Sequence, residues 1–111
     1  MRNFIEVCMN RIEKLLEYLE SSPGDSFLKH ALALEYIKAG NETAARQLFE
    51  TILIGDPAYV GSYYHLAKLL ERTGQHDAAI DWYRKGMDAA QSAGDHHAFN
   101  ELKSAYEELI F

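Results

Sequence analysis

Two neighbouring stretches of the chain repeat each other at an interval of 34 residues. Sliding the sequence by this interval places residues of similar kind opposite one another: Leu19 and Leu53, Pro23 and Pro57, Leu32 and Leu66, Ala33 and Ala67, Lys38 and Arg72, Gly40 and Gly74, Ala44 and Ala78, Ala45 and Ala79, Phe49 and Tyr83, and Leu53 and Met87. Most matches are small or apolar residues, the types that close helix packing constrains most. A period of this length is typical of a stack of similar units, because one unit cannot bury its apolar face alone.

Apolar residues between the glycines and prolines recur at spacings of three and four, which places each set on one face of a helix. The sequence has no stretch of sustained strict alternation, and β-branched residues are few. The chain is therefore predicted to be all-α, with helices over 3–21, 26–39, 42–54, 57–73, 76–92 and 95–110. The loops between them are short, so successive helices are predicted to be antiparallel neighbours.

Polar residues and glycines mark the predicted helix ends. Asp25 and Asn41 precede the second and third helices, where a side-chain oxygen can accept a hydrogen bond from a free N–H group. Asp56 is predicted to cap the fourth helix, with Pro57 in its first turn, where the missing N–H costs nothing. The glycines suited to ending a helix in the left-handed conformation are Gly40 and Gly74. Gly94 is expected to stop the helix that starts at residue 76.

The composition is that of an ordinary globular chain, with 48% hydrophobic and 25% charged residues. The formal net charge of −6 disfavours nucleic-acid binding, which needs a basic surface, and disfavours docking on an anionic membrane. Cys8 is the single cysteine, so the fold does not depend on an internal disulfide. The sequence shows neither a signal peptide nor an apolar run of transmembrane length, and we expect a cytoplasmic protein.

The order of residues within the period resembles the tetratricopeptide repeat, a 34-residue pair of helices. The first unit matches the family pattern at Leu32, Ala33, Tyr36, Ala45, Phe49 and Pro57. The second unit matches it at Tyr63, Leu66, Ala67, Leu70, Ala79 and Tyr83. The first unit departs at the leading aromatic position, which holds Lys29, and the second departs at the closing proline, which is replaced by Gln91.

The resemblance implies a right-handed α-α superhelix within one domain over 1–111. The two helix pairs of this superhelix are expected at 26–59 and 60–93. An N-terminal helix over 3–21 and a C-terminal capping helix over 95–110 are expected to flank them, because the ends of a stack need a polar outer face.

The resemblance also implies a partner protein, since the first helix of each pair in this family lines a concave groove that holds a partner segment. By register, the residues that face this groove are Phe27, His30, Leu34, Lys38, Tyr64, Lys68, Arg72 and Asn100. Phe27, Leu34 and Tyr64 are apolar where a solvated face is polar, which favours a binding patch. The alternative is that the curvature of the stack partly covers them. Lys68 and Arg72, four residues apart, are predicted to present a doubled positive charge to a carboxylate.

The leading hypothesis is therefore an interaction module that binds a peptide or helix of another protein. Some members of the family bind a chaperone's C-terminal carboxylate through lysines and asparagines on these helices. His30 and Leu34 occupy two of those positions here, so that specificity is not carried over. Trp82, which replaces Leu48 of the first unit, is either at the edge of the core or an exposed anchor. The second hypothesis is a homodimer through the terminal helices, because the sequence closes on Leu109–Phe111.

An enzyme, a metal site and a cofactor are not predicted. The sequence has no Gly-rich phosphate loop, nucleophile elbow or zinc-protease motif. His96 and His97 are adjacent, so on a helix they point about 100° apart. His97 and Glu101 lie one turn apart and supply two ligands, whereas structural zinc takes four. Cys8 lies on an apolar face with Arg11 one turn on, and we interpret it as a small buried side chain rather than a reactive thiol.

Overall fold

The computed structural model describes the backbone of residues 4–111 and the side chains from residue 10 onwards, so the Cys8 side chain lies outside the described residues. Within residues 4–111 the chain is helical and has no strand, which confirms the predicted all-α class. The helices are α1 (Phe4–Ser21), α2 (Ser26–Lys38), α3 (Glu42–Gly55), α4 (Gly61–Arg72), α5 (His76–Ala93) and α6 (His96–Ile110). They form two compact units that divide between Ile52 and Leu53. The single domain over 1–111 stays a prediction.

The first unit contains α1, α2 and most of α3. The α1 helix packs against α2, and the edge of the His30 ring meets Phe49 of α3 with 5.6 Å between ring centroids. Ala33 and Ala45 are fully buried, as expected for small residues at close helix contacts. Leu32, Phe49 and Ile52 are also buried apolar residues of this unit.

The second unit is built around α5, which packs against both α4 and α6. A Cβ atom at Gly86 of α5 would lie 2.7 Å from Cβ of Tyr63 and 3.1 Å from Cδ1 of Leu102. Gly86 therefore allows α5 to approach its neighbours more closely than any larger residue would. The buried residues of this unit include Tyr63, Leu66, Ala67, Leu69, Leu70, Ala79, Tyr83, Ala90, Leu102 and Ala105.

Most helix ends are formed by the residues that the sequence predicts. The backbone N–H of Leu28 donates to Oδ1 of Asp25 at 3.1 Å, and that of Ala44 donates to Oδ1 of Asn41 at 3.2 Å. The three helix-ending glycines have left-handed φ angles of 84°, 79° and 70°, in the order Gly40, Gly74 and Gly94.

The start of α4 differs from the prediction, because the helix begins at Gly61 and not at Pro57. The carbonyl of Asp56 instead accepts a hydrogen bond from the N–H of Tyr59 at 3.0 Å, which closes a turn before the helix. The Tyr63 hydroxyl donates to the Pro57 carbonyl at 2.6 Å and stabilises that turn. The predicted cap by Asp56 is therefore wrong: Val60 precedes the helix and makes no side-chain capping bond.

Candidate functional site

The predicted binding residues of the first unit differ in their exposure. Phe27 lies in the first turn of α2 and is 68% exposed. His30 and Leu34 are half-buried, and the His30 ring is occupied by its contact with Phe49. Phe27 is therefore the large apolar residue that this face of α2 offers to a partner.

Lys38, the fourth predicted residue of this unit, is already paired. Its Nζ lies 3.4 Å from Oε1 of Glu35, and the same oxygen accepts a hydrogen bond from Nη1 of Arg11 at 3.4 Å. The Glu35 side chain is only 10% exposed, and its second oxygen has no hydrogen-bond partner among the described residues. This carboxylate was not predicted from the sequence. The signal that marks it is the difference between the repeats, because the related position of the second repeat holds the apolar Leu69.

In the second unit, α4 brings Tyr64 and Lys68 together as the register predicts. The Lys68 Nζ lies 5.8 Å from the centroid of the Tyr64 ring and 3.6 Å from Oε2 of Glu71. Arg72 is exposed at the end of the same helix. Glu71 thus neutralises part of the positive charge that the sequence predicts for Lys68 and Arg72.

Glu71 also accepts a hydrogen bond from the Tyr83 hydroxyl at 2.5 Å. Burial, followed by this hydrogen bond and the negative charge of Glu71, raises the pKa of Tyr83 well above the usual tyrosine value. The phenol therefore stays protonated, and remains a donor, at pH values where an ordinary tyrosine ionises. The result is a short chain of polar contacts from the buried Tyr83 through Glu71 to Lys68 at the surface.

The remaining predicted residue, Asn100, is exposed on α6. Nearby on that helix, Nε2 of His97 lies 3.7 Å from Oε2 of Glu101, so the pair with one-turn spacing does come together. His65 of α4 is half-buried; burial lowers the pKa of its imidazole, and the charge of Glu101 opposes part of that shift. Among the described residues, no group of three or more His, Cys, Asp and Glu side chains is arranged to hold a metal ion.

A further surface of the second unit, which we call the α5 groove, was not predicted. It is a hollow of about 680 Å³ whose lining includes Ile54, Pro57, Trp82, Lys85, Asp88 and Ala89. Trp82 is half-buried with its ring 6.0 Å from that of Tyr63. Nζ of Lys85 lies 4.6 Å from the Trp82 ring centroid. Trp82 therefore sits at the core edge and lines an open hollow at the same time. The residues that line the groove lie on α3, on the loop before α4, on α4 and on α5. The sequence did not predict it because the spacing pattern of a single helix does not connect these residues.

Of the helices that the structure describes, none combines the length and the apolar character needed to cross a membrane.

The fold and the repeat agree with a family model and with solved structures of other proteins. A family model described as tetratricopeptide repeat matches residues 36–107. The solution structure of a tetratricopeptide repeat domain protein from Salinibacter ruber is 42% identical, with a TM-score of 0.76, covering 78% of this chain and 88% of that one. A crystal structure of such a protein from the same organism is 42% identical, with a TM-score of 0.74, covering 77% and 94%.

A third solved structure, of a protein from Bordetella parapertussis, is 27% identical with a TM-score of 0.76, covering 89% of this chain and 86% of that one. No curated protein matches the chain with comparable significance. The family match covers residues 36–59 of the first predicted helix pair and all of the second, and the structural likeness extends over most of the chain. The chain therefore belongs to the tetratricopeptide repeat family.

Proposed function

We propose that this chain is a binding module for segments of another protein, with one contact surface on the exposed face of α2 in the first unit and one on α4 in the second. Tetratricopeptide repeat domains generally mediate contacts between proteins and act as scaffolds without catalysis of their own. The observation that carries the proposal for this chain is Phe27, which is 68% exposed on the helix face that the register assigns to a partner. A large apolar side chain held in solvent is the usual anchor of a protein interface.

The chemistry of α4 supports a partner segment that carries both apolar and acidic groups. The Tyr64 ring supplies an apolar surface, and Lys68 lies against it. Lys68, which also contacts Glu71, and the exposed Arg72 place two cationic side chains on the same helix. An apolar side chain of the partner would pack on Tyr64, and a carboxylate of the partner would be attracted to these cations.

The test compares the proteins captured from a lysate of the native cells by the parent chain and by two double variants. The first variant, Tyr64→Ala with Lys68→Glu, removes the ring and reverses the charge of the α4 face. The second, Tyr106→Ala with Lys103→Glu, makes the same changes on α6 and serves as the matched control. Circular dichroism establishes that both variants are folded.

We expect the α4 variant to lose the bound partner and the α6 variant to keep it. Equal capture by all three proteins would contradict the proposal. A cytoplasmic location and the lack of a catalytic activity stay predictions from the sequence, and this experiment does not depend on them.

A further inference from the structure

The α5 groove combines an apolar hollow with an exposed apolar residue on one surface. Ala89, Ala93 and the half-buried Trp82 contribute to its lining. Ile54 also lines it, yet this residue is 80% exposed at the C-terminal end of α3. Both the projecting Ile54 side chain and the apolar lining of the groove are therefore open to burial by a second molecule.

The same surface carries two charges of opposite sign. Lys85 and Asp88 lie three residues apart on α5, and both are exposed residues of the groove lining. A twofold contact between two copies places each residue of a patch opposite another residue of the same patch. Lys85 of one copy can then face Asp88 of the other, and the reverse pair forms across the axis.

These features favour a second copy of the chain over an unrelated segment as the occupant. A twofold interface must be complementary to itself. This surface meets that condition, because the projecting Ile54 can fill the hollow of the other copy and Lys85 can pair with Asp88. Two copies with a net charge of −6 each repel one another. The two opposite-charge contacts supply the local attraction that such copies need.

We propose that the α5 groove is a homodimer interface, in which Ile54 of one copy enters the groove of a second copy beside Trp82 while Lys85 and Asp88 pair reciprocally. This interface goes beyond the proposed function. It shares no lining residue with the eight predicted partner-binding positions, so its success or failure is independent of theirs. It also differs from a dimer through the terminal helices.

The first test measures the dimer dissociation constant of the full chain by sedimentation equilibrium over a wide concentration range. We expect the parent chain to dimerise, and Ile54→Asp to raise the dissociation constant by about tenfold or more, because it places a charge at the centre of the contact. The matched control is Lys103→Asp on α6, which we expect to leave the dissociation constant unchanged.

The second test exchanges the charges. Lys85→Asp and Asp88→Lys are each expected to raise the dissociation constant, because each places like charges opposite one another in the homodimer. An equal mixture of the two variants should form a heterodimer, since one copy then presents two anions and the other two cations. Circular dichroism of each variant confirms folding before the measurement.

A parent chain that stays monomeric throughout would overturn the proposal. So would a dimer whose dissociation constant is unchanged by all three groove variants, or a dimer that is lost instead on Phe111→Asp, which marks the terminal helix as the interface. The Tyr64→Ala and Lys68→Glu double variant should dimerise like the parent chain. Loss of partner capture and loss of the dimer therefore report on different surfaces.

Discussion

The two repeats share two pairs of fully buried alanines and differ at several of the larger residues around them. Ala33 and Ala45 of the first repeat are fully buried, and so are the related Ala67 and Ala79 of the second. These four positions keep the same residue because a larger side chain would force the paired helices apart. The 34-residue period thus fixes where the helices approach closely and leaves open how the remaining space is filled.

One difference between the repeats is an exchange of volume between two positions. In the second repeat Tyr63 lies against Gly86, which has no side chain. The positions 34 residues earlier hold Lys29, which is half-buried, and Ile52, which is 1% exposed. In the second repeat the aromatic Tyr63 is accommodated by the loss of a side chain at Gly86. Each of these two residues differs from its counterpart in the first repeat, but the two changes compensate each other in volume.

The other difference is polarity. Glu35 of α2 is buried and pairs with Arg11 of α1 and with Lys38. The related residue of the second repeat is Leu69, which is 1% exposed. The first repeat therefore uses an ion pair where the second uses an apolar contact.

The largest expected effect comes from copying the acidic residue of the first repeat into the second. Leu69→Glu places a carboxylate at a position that is 1% exposed. An unpaired buried charge costs about 3–5 kcal/mol, so we expect a loss of that size in the free energy of unfolding. Urea titration followed by circular dichroism measures the change.

The reverse substitution is the control for this comparison. Glu35→Leu removes a buried carboxylate and leaves Arg11 and Lys38 with side chains that are 59% and 47% exposed, which water can hydrate. Replacing a buried ion pair by an apolar residue is often neutral or stabilising. Equal losses from both substitutions would contradict the difference in polarity between the repeats.

The sequence predicted the features that depend on local pattern. The helices, the caps by Asp25 and Asn41, and the left-handed glycines each follow from a few neighbouring residues. The start of α4 was mispredicted because Tyr63, a residue inside the helix, stabilises the preceding turn through its hydroxyl. That contact joins residues six positions apart and has no counterpart in capping rules.

The candidate sites were predicted less completely, for the same reason. The sequence placed Tyr64 and Lys68 on one face of a helix, and the structure brings them together. It did not reveal that Glu71 pairs with Lys68, or that Glu35 pairs with Arg11 of another helix. The Lys68–Glu71 pair lies three residues apart on one helix, a spacing that the sequence does show. The Arg11–Glu35 pair depends on which side chains of α1 and α2 meet, which a 34-residue period alone does not determine.

The exchange of volume in the second repeat gives the next largest effect. Gly86→Ala places a Cβ atom 2.7 Å from Cβ of Tyr63, so the helices must move apart. Overpacking of this kind costs about 1–3 kcal/mol, more than the gain of up to about 1 kcal/mol from replacing glycine in a helix. We expect a lower free energy of unfolding in urea.

Gly55→Ala is the matched control, because a Cβ atom at Gly55 would have nothing within 4 Å. We expect its free energy of unfolding to be unchanged or slightly higher. A loss of the same size from both variants would show that the close approach of Tyr63 to Gly86 is not what constrains α5.

A smaller effect is expected from making the aromatic residues of the repeats identical. Tyr83→Phe copies Phe49 and removes the hydrogen bond to Glu71. Hydrogen bonds to charged groups contribute about 1.5–3 kcal/mol, and Glu71 keeps its contact with Lys68 and its access to water, so we expect a loss near the lower end of that range. The reciprocal variant, Phe49→Tyr, introduces a hydroxyl into the first repeat. The residue there that corresponds to Glu71 is Ile37, which cannot accept a hydrogen bond through its side chain, so this variant is expected to be destabilised as well.

The pH dependence separates the hydrogen bond from simple packing. An unfolded chain ionises its tyrosines near pH 10, whereas burial and Glu71 raise the pKa of Tyr83 in the folded chain. The folded state then retains a proton that the unfolded state releases, so the free energy of unfolding falls as the pH rises above about 10. Tyr83→Phe should show a shallower fall between pH 9 and 11, and an unchanged slope would contradict the role of Tyr83.

The smallest expected effect concerns His65, which stands where the first repeat has Ala31. Burial lowers the pKa of His65, with Glu101 opposing the shift, so the folded chain takes up this proton at lower pH than the unfolded chain, whose histidines titrate near pH 6.5. The unfolded state therefore binds more protons below that pH, and the free energy of unfolding falls as the pH drops. His65→Ala, which copies the first repeat, should reduce the fall measured between pH 7.5 and 5.5. His76→Ala, at an exposed residue of α5, is the matched control, and a fall reduced equally by both variants would show that burial of His65 is not its cause.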